Sequence, residues 1–157
     1  MGDLDGKTAL VTGGGKGIGR AISQALAGMG ARVVVNYRSD KTAAEETASS
    51  LPSAVAHQAD VGDPAQVEAM IKSIGRVDVL VNNAGAVRDK LLIQMSPPDW
   101  EDLIRTDLLS AFATTKAAIT ILADKLRRNM SSFLMVCGTG KTSHPARKPS
   151  AGAVPGR

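Results

Sequence analysis

The stretch Thr12-Gly13-Gly14-Gly15-Lys16-Gly17-Ile18-Gly19 separates a short apolar run, Thr8 to Thr12, from a helical pattern beginning at Ile18. Glycines between a strand and a helix bring the backbone close to a bound group, while the helix N-terminus offers N–H donors and partial positive charge. That arrangement suits a pyrophosphate, and a strand–turn–helix context makes it far more specific than glycines alone. The feature therefore predicts a parallel α/β domain whose first turn takes a dinucleotide.

The rest of the chain alternates in the same way. Arg32-Val-Val-Val-Asn36, Ala54 to Asp60, Val77 to Val81 and Phe133 to Val136 read as strands, their apolar runs suited to burial on both faces. Between them, helices are predicted from Ile18 to Met29, from a Ser39 or Asp40 cap to about Leu51, and from the Asp63-Pro64 pair to Ile74. The first of these turns Ile18, Ile22, Ala25, Leu26 and Met29 toward the sheet, and Gly28 and Gly30 end it. Ser96-Pro97-Pro98-Asp99 has the spacing of a capping box, and an interrupted helical region follows to about Arg128. Right-handed crossovers then give a doubly wound, Rossmann-type parallel sheet of order 3-2-1-4-5, incomplete at its C-terminal edge. Residues 1–137 form one domain on this reading, and 138–157 a disordered basic tail.

Composition narrows the class. Hydrophobic residues make up 43% but aromatics only 3%, so the core is aliphatic. A single cysteine, Cys137, excludes an internal disulfide, and no apolar run reaches the ~18 residues of a membrane span. These features predict a soluble cytoplasmic protein. Seven Lys and Arg and no acid lie from Lys125 onward, leaving 12 of the 19 bases against all 15 acids before it, a net −3. Without interleaved aromatics the basic end is read as a solvated tail, and nucleic acid is not an expected partner.

Strand two ends Asn36-Tyr37-Arg38-Ser39, where an NAD-binding domain usually carries an acid for the ribose 2′-hydroxyl. Arg38, and Lys16 within the turn, suit a 2′-phosphate instead. Each charge-assisted hydrogen bond is worth ~1.5–3 kcal/mol, so two favour NADP(H) by on the order of a hundredfold.

Thr12–Gly19, Asp60-Val61 and Asn82-Asn83-Ala84-Gly85, taken together, resemble the short-chain dehydrogenase/reductase family. Val35 to Ser39, Arg88 to Met95 and Trp100 are similar to its 3-oxoacyl-acyl-carrier-protein reductases. The resemblance covers about residues 4 to 136. It implies that Asp60 and Val61 hold adenine, and that Asn83, Ala84 and Gly85 line the ribose side and stabilise the fourth strand. With Thr12, Gly13, Gly15, Lys16, Gly17, Ile18, Gly19, Asn36, Arg38 and Ser39, these are the expected cofactor-binding residues. The resemblance also implies reduction of a ketone to a secondary alcohol, and self-association through the helix at 107–128.

The family acts through an Asn, a Ser and a Tyr-x-x-x-Lys pair. Here Asp107 stands at the Asn position and Gly138, beside Cys137 and Thr139, at the Ser position. Neither Lys141 nor Lys148 has a Tyr four residues earlier, so no catalytic residue is expected. The change of pattern at Gly138 reads as a truncated or frame-shifted gene product, or as a short variant that binds cofactor or a partner without catalysis. Gly138-Thr-Gly-Lys-Thr142 lacks the Gly a phosphate loop needs five residues before Gly140, where Met135 stands. His57, His144 and one cysteine make no metal site.

Overall fold

Thr8–Val11 (β1) is the central strand because its four residues are buried on both sides. The computed structural model describes residues 2–126 and 134–137. After β1 come α1 (Gly17–Gly28), β2 (Arg32–Tyr37), α2 (Lys41–Ser49), β3 (Ala54–Gln58), α3 (Pro64–Ile74) and β4 (Val79–Asn82). A 3₁₀ turn (Leu92–Gln94), α4 (Pro97–Leu103), a π-helical stretch (Ile104–Leu109), α5 (Ser110–Leu126) and β5 (Leu134–Cys137) complete the described elements. The strands pair in the order β3-β2-β1-β4-β5, all parallel, as the alternation of elements predicts. Register is direct: Leu10 lies beside Val34 and Leu80, and Val11 beside Val35 and Val81.

Alternate strand residues face opposite sides of the sheet, which splits the core in two. Leu10, Val34 and Leu80 pack against Val67, Met70 and Ile71 of α3 and Ala113 and Ala118 of α5. Ala9, Val11, Val33, Val35, Val79 and Val81 face the other way, onto Ala27 of α1 and Ala44 and Ala48 of α2. Leu10 and Leu80 are wholly buried, each contributing on the order of 1.5–3 kcal/mol from side-chain burial.

The helix starts follow their caps. The Asp40 carboxylate accepts from the Ala43 N–H at 3.0 Å, and that of Asp63 from the Ala65 N–H at 2.9 Å. Ser96 and Asp99 make both arms of the capping box. Most observed boundaries differ from the expected ones by one or two residues, the usual latitude at element ends.

One expectation is corrected. The helix α1 does not press Ile18, Ala25 and Met29 onto the sheet; these are exposed, and Gly19, Ser23 and Ala27 are buried in their place, flanked by half-buried Ile22 and Leu26. Small residues four apart let the helix axis approach the strands, which bulky ones would hold off. The helix ends at Gly28 with Met29 as its C-cap, and Gly30 takes the left-handed turn at φ +93°, as expected of the two glycines.

Candidate functional site

The turn after β1 is built on backbone that only glycine accepts readily. Gly13 and Gly17 have φ of +61° and +50°. A Cβ on Gly19 would lie 2.3 Å from the Gly13 carbonyl oxygen and 2.5 Å from Asn83 Nδ2. The first turn of α1 thus lies too close to the preceding loop for any side chain at this position.

A buried clasp fixes this turn to β4. Thr12 Oγ1 donates to the Val81 carbonyl at 3.2 Å and accepts from the N–H groups of Asn83 and Ala84, both at 2.9 Å. Asn83 Nδ2 donates to the carbonyls of Thr12 at 2.9 Å and Gly13 at 3.2 Å. On the other side Asn36 is buried, giving Nδ2 to the carbonyls of Ala59 and His57 while Oδ1 accepts from the Gly13 N–H at 3.4 Å. Three strands thus converge on one turn through the side chains of Thr12, Asn36 and Asn83.

The result is a cleft of about 840 Å³ along the C-terminal ends of the strands. Gly13, Lys16, Gly17, Ile18 and Gly19 line it, together with Asn36, Arg38 and Ser39, Asp60 and Val61, and Asn83, Ala84 and Gly85. Two expected residues lie elsewhere. Thr12 is turned inward as the clasp, and Gly15 faces α2, its carbonyl accepting from Thr47 Oγ1 at 3.0 Å. The cleft also takes in Ala59, Ala86, Val87, Asp89, Thr106 and Asp107. Sequence marks Ala59 only as the neighbour of Asp60. Thr106 and Asp107 arrive through the π-helical widening between α4 and α5, for which the sequence carries no local signal.

Whether such a cleft fits a dinucleotide can be tested on its own atoms. No side chain caps α1 at Lys16, and no acid sits in its first turn, so the donors and the positive end of the helix are left to a ligand. At Gly17, on the cleft, a Cβ would meet no atom within 4 Å, so the turn is open to a ligand there. The residues fit.

Charge is distributed unevenly around the cleft. The Arg38 side chain is exposed and has no ion-pair partner among the described residues. Lys16 is paired with the Asp40 carboxylate. That bond, with the Ala43 N–H, holds the Asp40 carboxyl below its ordinary range. On the opposite wall Asp60 accepts from the Gly62 N–H at 2.9 Å and from Arg105 Nη1 at 3.2 Å. Arg105 also reaches Asp102 at 3.0 Å, and Arg88 binds the other Asp102 oxygen. Arg105 lowers the Asp102 carboxyl and is itself held above its ordinary value, by Asp102 first and then Asp60.

At the far end Asp107 Oδ1 accepts from the Ala86 N–H at 2.8 Å. No other expected catalytic position can be placed, because 138–157 and its Gly138, Lys141, His144 and Lys148 lie outside the described residues, as does the side chain of Cys137. Among the described residues no group of His, Cys, Asp and Glu is arranged to hold a metal. His57 instead bonds Ser73 Oγ at 2.9 Å. No helix among them is long and apolar enough to cross a membrane.

Comparison with known proteins agrees with this geometry. The short chain dehydrogenase family model matches residues 7–137. The 3-oxoacyl-acyl-carrier-protein reductase FabG of Escherichia coli is 36% identical over 154 residues, covering 93% of this chain and 63% of its own length. The Staphylococcus aureus reductase of the same name is 40% identical, covering 90% and 63%. The chain therefore spans less than two thirds of the length of these curated relatives. Among solved structures, a short chain dehydrogenase from Mycobacterium avium superposes with a TM-score of 0.79 at 32% identity, over 87% of this chain and 54% of that one. A Burkholderia cenocepacia short chain dehydrogenase in complex with NADP gives 0.71 at 34% identity, over 74% and 51%.

Proposed function

This chain belongs to the short-chain dehydrogenase family, and on that premise we propose that its cleft binds NADP(H) in preference to NAD(H). The observation that carries the reading is the uncapped N-terminus of α1, with Arg38 on the same cleft and without an ion-pair partner among the described residues. The N–H groups of the turn at Gly17 to Gly19 suit the pyrophosphate, and Arg38, Ser39 and Lys16 the 2′-phosphate. Asp60 and Val61 suit the adenine, and Asn83, Ala84 and Gly85 the ribose toward the reacting end. Thr12, Gly15 and Asn36 serve by holding the turn. Arg38 alone, at ~1.5–3 kcal/mol for a charge-assisted bond, gives a preference of about tenfold or more.

The chemistry such a cofactor supplies is hydride transfer to or from a carbonyl carbon, which by likeness to the curated relatives is that of a 3-oxoacyl group. Reduction leaves an alkoxide that needs a proton, and a placed acid is worth ~10²–10⁴ in rate. Tyr37 is the one tyrosine in the sequence, and it packs half-buried against the α1–α2 side of the core at the end of β2. Asp107 has one oxygen engaged by a backbone N–H. We therefore assign this 157-residue chain, acting alone, cofactor binding without ketone turnover.

The same reading gives the exposed apolar stripe Trp100, Ile104, Leu108, Phe112 and Ile119 to a second copy of the chain, and places the protein in the cytoplasm, with the dinucleotide rather than nucleic acid as its ligand. Calorimetric titration with NADPH and NADH, followed by NADPH absorbance with a 3-oxoacyl thioester, tests it. The reading expects tighter NADPH binding and no oxidation. Equal affinity for the two cofactors would remove the 2′-phosphate assignment, and steady oxidation would remove the non-catalytic one.

A further inference from the structure

Resting on the NADP(H) reading, we propose that Asp40 limits the preference for the 2′-phosphate by holding the Lys16 ammonium, so that a phosphorylated ligand gains Lys16 only by displacing a carboxylate. Lys16 and Arg38 are the two cations of the turn end of the cleft, and they are not equivalent. Arg38 has no ion-pair partner among the described residues, whereas Lys16 is engaged by Asp40 Oδ2. The rim therefore presents three charges with a net of one positive, where the two cations alone would present two.

Asp40 is held where it is by the framework. Its other oxygen, Oδ1, accepts from the Ala43 N–H at 3.0 Å as the N-cap of α2. The helix is fastened to the glycine turn in its own right: Thr47 Oγ1 donates to the Gly15 carbonyl at 3.0 Å in a buried bond. A Cβ on Gly15 would come within 3.0 Å of the Ala44 backbone, and Ala44 is wholly buried. The carboxylate is thus a fixed feature of the rim, and the Lys16 side chain, 67% exposed, is the partner that can move. A dianionic phosphate near Arg38 competes with Asp40 for Lys16 and is repelled by it. A ribose 2′-hydroxyl does neither, so Asp40 acts on the difference between the two cofactors.

The test is D40N in the full chain. Asparagine caps helices about as well as aspartate, so α2 keeps its start while the charge is lost. Because the pair is exposed, the expected gain is modest: NADPH binds about three- to fivefold more tightly, with NADH unchanged. The gain shrinks as salt is raised. Lys16→Met in the D40N background then weakens NADPH more than Lys16→Met does alone. An unchanged NADPH affinity in D40N, or an equal change for both cofactors, would overturn the inference while leaving the NADP(H) reading in place. If the unaltered chain favours NADH but D40N moves toward NADPH, that reading fails and the role of Asp40 stands. No binding of either cofactor to either protein overturns both.

Discussion

The two regions that border the cleft are organised by different physics. Around the glycine turn, order comes from close packing of small residues and from buried bonds to backbone: Gly19 against Gly13, Thr12 bridging β1 and β4, Asn36 bridging β1, β2 and β3. Between Arg88 and Arg105, order comes from ion pairs at the surface, Arg88–Asp102–Arg105–Asp60 and Lys90–Asp99, before α5 carries Ala113 and Ala118 into the core. Over 91–119 the large apolar side chains face outward, with Leu92 80%, Ile93 92%, Leu108 64% and Phe112 61% exposed. The first region is finished before any ligand arrives, whereas the second carries apolar surface that a partner can cover. Dinucleotide binding is the function proposed for the first region, and self-association that proposed for the second.

The sharpest way to break the first region is Gly19→Ala. The new Cβ would meet the Gly13 carbonyl oxygen at 2.3 Å, and neither backbone nor the clasped Asn83 can yield. We expect a loss of about 3 kcal/mol in denaturant unfolding, with cofactor binding lost as well. Thr12→Val comes next. It keeps the shape but leaves the N–H groups of Asn83 and Ala84 without their acceptor. A loss of about 2–3 kcal/mol by the same measurement is the expected outcome.

In the second region the same stability assay should barely move. The double variant Leu108→Glu, Phe112→Glu is expected to shift unfolding by no more than about 0.5 kcal/mol, yet to abolish in sedimentation the self-association proposed for this stripe. Stability that falls as far as for Gly19→Ala would erase the contrast between the regions. The smallest effect concerns acid. Asp102 is held below the ordinary carboxyl value of 3.8 by Arg105 and Arg88. Its pairing therefore contributes in full above that value and is lost as pH falls through the lowered one. Thermal melting of Asp102→Asn should be less sensitive to acidification than that of the unaltered chain.

Much of this was legible in the sequence because it follows from periodicity and glycine. Uninterrupted apolar runs such as Val33-Val34-Val35 mark buried parallel strands, and Asp63-Pro64 marks a helix start. The parallel sheet followed from the alternation of elements, and its order from the Rossmann-type dinucleotide turn. What escaped was whatever depends on distance between elements. The face of α1 was misread because apolar size pointed to Ile18 and Met29, while close approach to the sheet selected Gly19, Ser23 and Ala27. In the same way Thr12 and Gly15 belong to the turn in sequence but face inward and toward α2 in space. No pattern announced that Asp40 would take Lys16, or that a π-helical stretch would carry Asp107 to the Ala86 N–H.

The central claim is that the turn end is a finished dinucleotide cradle and the outward-facing apolar side chains of 91–119 are not part of it. Amide hydrogen exchange with and without NADPH tests this most directly, since it reports each region separately. The account predicts added protection at the Gly13–Gly19 turn and at 60–61 and 83–85, with none at the exposed 91–93 segment or the outer stripe. Protection confined to that segment and stripe, or absent everywhere at saturating NADPH, would contradict it.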